Sequence, residues 1–203
     1  MNWKSYKVSS VQRVLWVCLL LPLSVVDAVE FFKFKDGELA RPSGYREWVY
    51  VGTPVTPNEL NNGKAAFPEF HNGDIDPESW AEWKRLGTFR EGTILIKELV
   101  SIGSTSAVSG KGYFEGDFIG LEATIKREKH FAGEPGHWAY FSLPTPDHKT
   151  LTAAAKPFSA ASCNGCHQGA AVDDWVFTQH YPVLRAGKAA GEAATGGTSS
   201  KLK

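Results

Sequence analysis

Three residues near the end of the chain have the types and the spacing for covalent haem chemistry. Residues 163 to 167 read Cys-Asn-Gly-Cys-His, the C-x-x-C-H pattern that attaches c-type haem. Cys163 and Cys166 are one helical turn apart, so both thiols can reach the two vinyl groups on one side of a porphyrin. His167 follows directly and would serve as the proximal iron ligand. The pattern predicts one covalently bound haem c per chain, held by these three residues.

Two cysteines at this spacing have other uses, namely a disulfide, a redox dithiol or half of a structural zinc site. A structural zinc site needs a second pair of ligands, but the one further cysteine, Cys18, lies far away near the N-terminus. A redox C-x-x-C normally opens a helix in a βαβ unit, and the surrounding sequence does not predict such a unit. Haem attachment is therefore favoured over all three.

The second axial ligand decides what such a haem can do. The only methionine in the sequence is Met1, so the chain lacks the His/Met pair that raises the potential of many electron carriers. Either a second histidine or an open position is left. The candidate histidines are His71, His130, His137, His148 and His180. An open position binds small molecules, which is typical of catalysis or gas binding.

A charged pair interrupts the apolar segment TILIKELV, residues 93 to 100. In a strand, Lys97 shares its face with Leu95 and Leu99, whereas Glu98 lies on the opposite apolar face. Because lysine is rarely buried, the segment taken alone favours a side chain that snorkels to water or forms a salt bridge.

Strand signals dominate the middle of the chain. β-Branched and aromatic residues between glycine-rich breaks indicate strands. The predicted strands are Trp48 to Gly52, Thr93 to Ser101, Tyr113 to Ile125 with an interruption near Gly120, and His137 to Leu143. The expected fold is mainly β (α+β), an antiparallel sheet with several short helices and a haem-bearing helical segment near the C-terminus.

Four short helices are expected around these strands. Thr56 begins a capping box with a proline at the first helical position, and Asp76 begins a helix that ends at Gly87. Nearer the C-terminus, Ser162 is expected to cap a helix that carries Cys163 to His167. The last helix is expected from Asp173 or Asp174 through WVFTQHYPVLRAGK, with Pro182 ending or kinking it.

Both ends of the chain differ from its middle. Residues 1 to 28 combine a basic start, an apolar stretch broken by Pro22 and a small-residue site at Val26-Asp27-Ala28, which indicates a secretory signal peptide and export. Cys18 would leave with it, and no stable membrane span would remain. Residues 29 to 185 are expected to form a single domain, and residues 186 to 203 read as a disordered tail. The 22 basic and 22 acidic residues balance, so there is no basic excess for nucleic acid.

Several long segments resemble the cytochrome P460 family. They are YREWVYVGTPVTPNELNNGKAAFPEF, DPESWAEWKRLGTFREGTILIKELVS, GYFEGDFIGLEATIK, EPGHWAYF, CNGCH and VFTQHYPVLRA. The resemblance runs from about Gly44 to Ala186. It implies a periplasmic, mainly β, homodimeric monohaem enzyme that oxidises hydroxylamine to nitrous oxide and nitric oxide. It also implies that Lys97 is bonded through its amine to the porphyrin ring.

The resemblance leaves the proton acceptor and the pocket walls open. Glu98, Glu122 and His71 are candidates for the distal base by position, and none is assigned. Phe67, Phe70, Trp138 and Phe141 are candidates for the aromatic wall. Hydroxylamine and nitric oxide are the expected ligands, and an external cytochrome c is the expected electron acceptor. The alternative function is that of the β-sheet cytochromes c-prime, which bind nitric oxide or carbon monoxide without catalysis.

Overall fold

A computed structural model describes Met1 and residues 30 to 188. Apart from Met1, the predicted signal peptide lies outside the described residues, as does nearly all of the predicted tail. The folded part extends slightly further than expected, because the last helix includes Ala186 and Gly187. Lys188 also forms an ion pair with Asp173.

The fold is mainly β, as the sequence predicts. One antiparallel sheet has five strands in the order β3-β4-β5-β6-β7, and a second has three in the order β1-β2-β8. The strands are β1 Phe34–Lys35, β2 Glu38–Ala40, β3 Val49–Gly52, β4 Phe70–Ile75, β5 Ile94–Ala107, β6 Gly110–Lys126, β7 Trp138–Ser142 and β8 Ala154–Ala155. The helices are α1 Pro77–Leu86, α2 Glu128–Phe131, α3 Ala160–Ala170 and α4 Pro182–Gly187, with 3-10 turns at Tyr45–Glu47, Asn58–Leu60, Pro135–His137 and Thr178–His180.

The central hairpin is longer than its sequence pattern indicates. β5 and β6 continue well beyond the other strands, and the expected interruption near Gly120 is a shift in register instead of a break. Leu99 pairs with Gly120, whereas Val100 pairs with Phe118. A β-bulge of this kind inserts one residue without ending the strand. β4 was not predicted, because Phe70–Ile75 combines a histidine, an asparagine, a glycine and an aspartate with few apolar residues.

Helix α1 begins and ends where its capping residues predict. Asp76 accepts a hydrogen bond from the Ser79 backbone N–H at 2.9 Å, which satisfies one of the open donors of the first turn. Gly87 ends the helix in the left-handed region with φ 73°, a conformation that glycine adopts at low cost. Trp83 extends from this helix into the core and donates from Nε1 to the Leu184 carbonyl at 2.8 Å.

Two helix predictions are wrong. After Thr56 the chain forms only a 3-10 turn, and the Thr56 hydroxyl donates to the Phe67 carbonyl, so it does not cap a helix. No continuous helix runs from residue 173, because the backbone turns back at Asp174 and Trp175 with positive φ. Pro182 opens α4 instead of ending a helix, as expected of a residue that lacks the N–H that a first helical turn leaves unpaired.

The five-stranded sheet separates two hydrophobic clusters. Face A carries the side chains of Ile94, Ile96 and Phe141, which pack with the N-terminal strands. Face B carries Ile75, Leu95, Trp138 and Tyr140, which pack with helices α1 and α4 and with Cys163 of α3. Within residues 30 to 188, no helix has the length and apolarity to cross a membrane.

Candidate haem site

Helix α3 presents the two cysteines and the histidine together. It begins at Ala160 after Ser159, so the expectation that Ser162 caps the helix is wrong; Ser162 lies inside it and its hydroxyl pairs with that of Ser159 at 2.8 Å. Cys163 and Cys166 are free thiols, the first half-buried and the second exposed. Burial, and after it the charge of Glu122, raises the pKa of Cys163.

The ring of His167 is held in one orientation by a backbone carbonyl. Its Nδ1 lies 2.7 Å from the carbonyl oxygen of Trp175, so Nδ1–H donates and Nε2 is the nitrogen that can bind a metal. The ring centroid lies 4.5 Å from that of Tyr140 and 4.6 Å from that of Phe177. Burial is the main cause that lowers the pKa of His167, which favours the neutral ring that metal binding requires.

The sheet supplies an ion pair to the same site. Lys97 of β5 and Glu122 of β6 are direct cross-strand partners, with 2.7 Å between Nζ and Oε2. Both charges act on the pKa of Cys163 and on that of His167. The ion pair and helix α3 therefore belong to one site on face B. Alternation along β5 already puts Glu98 on the face opposite to Lys97, but only the strand register shows that Glu122 lies opposite Lys97.

A glycine opposite Lys97 lets an aromatic ring approach the sheet. Gly73 pairs with Lys97 across β4 and β5. A Cβ at Gly73 would lie 2.9 Å from Cε1 of Tyr181 and 3.0 Å from Cγ2 of Val51, closer than carbon atoms pack. Burial, and then the charge of Glu122, raises the pKa of Tyr181 to about 12.

His71 and Phe67 lie next to Lys97. The Lys97 ammonium is 5.6 Å from the centroid of Phe67, and the rings of Phe67 and His71 are 6.1 Å apart. Burial, followed by the charge of Lys97, lowers the pKa of His71 to about 4. Glu69 Oε1 lies 3.5 Å from His71 Nε2, yet burial outweighs this contact, so the ring is neutral near pH 7.

The sequence matches the family model described as Cytochrome P460 over residues 42–178. The chain belongs to the cytochrome P460 family. The match includes β3 to β7, Lys97, Glu122 and the whole Cys–His motif. A comparison with individual curated proteins gives no significant match. Membership implies a c-type haem cofactor and an oxidoreductase.

The residues present fit the haem that the cytochrome P460 family implies. Asn164 is 3% exposed, and neither its amide oxygen nor its amide nitrogen has a hydrogen-bond partner in the polypeptide. The hydroxyl of Tyr140 and the indole N–H of Trp138 are also buried without a hydrogen-bond partner in the polypeptide. Buried polar atoms without partners are rare in folded proteins. Their concentration around α3, beside two free thiols and an oriented imidazole, suits a bound group with polar atoms of its own.

Three predicted site residues lie on the other side of the sheet. Glu98 lies on face A, where Tyr45 donates to it at 3.1 Å and Arg46 forms an ion pair with it. Phe70 pairs with Val100, whose side chain also lies on face A. Phe141 packs in the face A cluster. Strand alternation separates all three from Lys97, so Glu98 is removed as a candidate for the distal base, and Phe70 and Phe141 are removed as candidates for the pocket wall.

Among the candidate histidines, His71 alone lies on face B near Lys97. His130 stacks on Phe34 at 4.9 Å in the face A cluster. His148 lies in an exposed turn, and His137 lies in the 3-10 turn before β7 with a positive φ. His180 stacks at 6.1 Å on Phe177, the ring that packs against His167 and not against Lys97.

Sequence reasoning missed several residues that shape the site. Tyr140 could have been found, because alternation along β7 puts Trp138 and Tyr140 on one face and Phe141 on the other. Trp175 gave no signal, since it acts through its backbone carbonyl. Gly73 gave no signal either, because its small size matters only once β4 is known to lie beside Lys97.

Proposed function

We propose that this protein is a periplasmic enzyme that oxidises hydroxylamine to nitrous oxide and nitric oxide with one covalently bound haem c per chain. The observation that carries the proposal is the Lys97–Glu122 ion pair, 2.7 Å long, which shares face B with Cys163 and His167. An external cytochrome c is the proposed electron acceptor, and the proposed assembly is a homodimer. The signal peptide proposed for residues 1 to 28 would direct export.

Three residues of helix α3 have separate parts in holding the haem. The thiols of Cys163 and Cys166 would form the two thioethers, and His167 Nε2 would bind the iron on the proximal side. Lys97 Nζ is the proposed third covalent link, which the family resemblance implies. The Lys97 side chain is 31% exposed and lies on the same side of the sheet as α3, which supports this role. When bound, the haem supplies a redox-active iron that withdraws electrons from hydroxylamine.

The polypeptide must also remove protons, because oxidation of hydroxylamine releases as many protons as electrons. Glu122 is the proposed acceptor, at Oε2, the oxygen that already contacts Lys97 Nζ. A carboxylate within hydrogen-bond reach of the reacting group serves as a general base. His71 is less suited, because its charged contact is with Glu69, 3.5 Å from Nε2, and not with Lys97. Phe67 and Tyr181 would limit the access of water to this side.

A peptide mass map of the holoprotein tests the covalent part of the proposal. We expect the peptide that contains Lys97 to travel with the haem peptide that contains Cys163 and Cys166. In a Lys97→Arg variant the two peptides should separate while the haem stays on both cysteines. A wild-type protein with a free Lys97 peptide would contradict the cross-link.

A turnover assay tests the catalytic part. Holoprotein supplied with hydroxylamine and an oxidised cytochrome c or a dye acceptor should reduce the acceptor and release nitrous oxide or nitric oxide. A holoprotein that binds nitric oxide or carbon monoxide but does not turn over hydroxylamine would instead be a gas-binding cytochrome of the c-prime kind.

A further inference from the structure

The loop after α3 contains a tight turn in an unusual conformation. The Val176 N–H donates to the Asp173 carbonyl at 2.7 Å, and the two central residues, Asp174 and Trp175, have φ of 44° and 60°. Two successive positive φ values are typical of a type I′ turn, which favours Asn-Gly at these positions. Aspartate tolerates this region, but a bulky residue such as Trp175 rarely adopts it. Such a residue persists only when its surroundings hold it.

The surroundings of the turn hold it from three directions. Lys126, the last residue of β6, extends its Nζ to within 2.5 Å of Asp174 Oδ2. Lys188 contacts Asp173 in the same way at 2.6 Å. The indole of Trp175 lies against Gly136, where a Cβ would be 2.6 Å from Trp175 Cε3. The first of these contacts joins the turn directly to the five-stranded sheet.

What the turn presents to the site is the carbonyl of Trp175. That oxygen accepts the hydrogen bond from His167 Nδ1 at 2.7 Å. A partner of this kind fixes the orientation of a metal-binding histidine and strengthens the electron donation from its other nitrogen. Since the carbonyl can reach His167 only while the turn keeps its conformation, whatever holds the turn also acts on His167.

We propose that Lys126 and Asp174 are positioning residues that set the reduction potential of the haem through the Trp175 carbonyl. The ion pair keeps the turn in its unfavourable conformation and so keeps the hydrogen bond to His167 short. The inference rests on the proposed function in one respect, namely that His167 is the proximal ligand. Neither residue contacts the reacting atoms.

The test uses holoprotein with Lys126→Met, Asp174→Asn and the double variant. Asparagine tolerates positive φ as well as aspartate does, so Asp174→Asn removes the charge and leaves the backbone preference. With the ion pair gone, the turn relaxes and the His167 hydrogen bond weakens. We expect the reduction potential to become more positive and the iron–histidine stretching band of the ferrous protein to move to lower frequency.

The double variant separates positioning from electrostatics. It removes one positive and one negative charge, so the net charge near the haem is unchanged. A shift of the reduction potential that persists in the double variant is therefore caused by the weaker hydrogen bond to His167 and not by a change in net charge. Lys126→Arg keeps the ion pair and should retain the wild-type potential, and Lys156→Met, which removes an exposed contact of 4.0 Å to Glu38, should also leave it unchanged.

Two results would overturn the inference, and they are distinguishable. If the double variant keeps both the wild-type potential and the wild-type band, the ion pair does not position His167. If instead the wild-type protein shows no iron–histidine band, His167 is not the proximal ligand, and the proposed function fails before any variant is compared. If Lys126→Met does not fold, the remaining variants still test the inference. A shift of the reduction potential in Lys126→Arg as large as that in Asp174→Asn would then overturn it.

Discussion

Lys97 and Glu98 are neighbours in the sequence, yet they belong to opposite faces of the same sheet. Each forms an ion pair with a residue of opposite charge. Lys97 contacts Glu122 across two strands on face B, and Glu98 pairs with Arg46 on face A. Both pairs join distant parts of the chain, so the presence of an ion pair does not distinguish them.

The two pairs differ in what surrounds them. The Lys97–Glu122 pair acts on the pKa of Cys163 and of His167. The Glu98–Arg46 pair instead acts on Tyr45, whose pKa is raised to about 12 by burial and then by Glu98. One pair therefore belongs to a site with nucleophilic and metal-binding groups, and the other joins a surface turn to the sheet. Whether a charged residue in a strand is a functional candidate therefore depends on which elements pack over its face of the sheet.

The largest expected effect comes from removing the carboxylate of face B. Glu122→Gln should lower kcat/KM for hydroxylamine by about 100- to 10,000-fold, the usual contribution of a general base. Glu98→Gln is the matched control, because it makes the same change in the same hairpin, next to Lys97 in sequence but on the other face of the sheet. Steady-state acceptor reduction would measure both.

These variants also separate catalysis from haem attachment. Both should carry covalent haem at wild-type occupancy, because neither changes Cys163, Cys166 or Lys97. Equal losses of turnover in Glu98→Gln and Glu122→Gln would remove the functional distinction between the faces. An unchanged turnover in Glu122→Gln would exclude it as the proton acceptor.

A truncation in the face A cluster should destabilise the protein more than the removal of a hydroxyl group from face B. Phe141 is 1% exposed in the face A cluster, so Phe141→Ala should lower the free energy of unfolding by about 3–5 kcal/mol. Tyr140→Phe should change it by less than about 1 kcal/mol, since the hydroxyl has no partner to lose. Denaturant unfolding measures both effects.

The absorption spectrum adds a second contrast for the same pair of variants. Because the Tyr140 ring lies 4.5 Å from that of His167, Tyr140→Phe should shift the haem bands. The folded fraction of Phe141→Ala should keep the wild-type bands. The opposite pattern would mean that Phe141, and not Tyr140, borders the haem.

The limits of sequence reasoning are visible in these residues. The spacing of Cys163, Cys166 and His167 is local, and a local pattern is enough to predict the helix that carries them. Alternation likewise puts Lys97 and Glu98 on opposite faces. The partner of each charge depends on the register between strands, and the bulge near Gly120 changes that register along the hairpin. A carbonyl such as that of Trp175 has no side-chain signature at all.

A smaller effect is expected from His71 on face B, which should make the free energy of unfolding depend on pH. His71 binds its proton near pH 4 in the folded protein and near 6.5 when unfolded. Unfolding therefore takes up a proton between these values, so this residue makes stability rise with pH through that window. His71→Gln should remove about 2 kcal/mol of that rise. Unfolding at a series of pH values measures it, with His148→Gln, in an exposed turn, as the control; an unchanged slope in His71→Gln would contradict the burial of His71.

The smallest effect is expected from Asp74 on face A, and its contribution to the pH dependence of stability has the opposite sign to that of His71. Burial, and next the charge of Glu98, raises the pKa of Asp74 from 3.8 to about 6. The folded state then holds a proton that the unfolded chain has lost, so stability falls as pH rises from about 4 to 6. Asp74→Asn should remove that fall and stabilise the protein at pH 7 by about 1 kcal/mol, after allowance for solvent screening. Because His71 and Asp74 oppose each other in this window, the wild-type profile should rise less steeply than that of Asp74→Asn, whereas stability in His71→Gln should fall with pH. A wild-type profile as steep as that of Asp74→Asn would mean that the carboxylate of Asp74 titrates as it does in water.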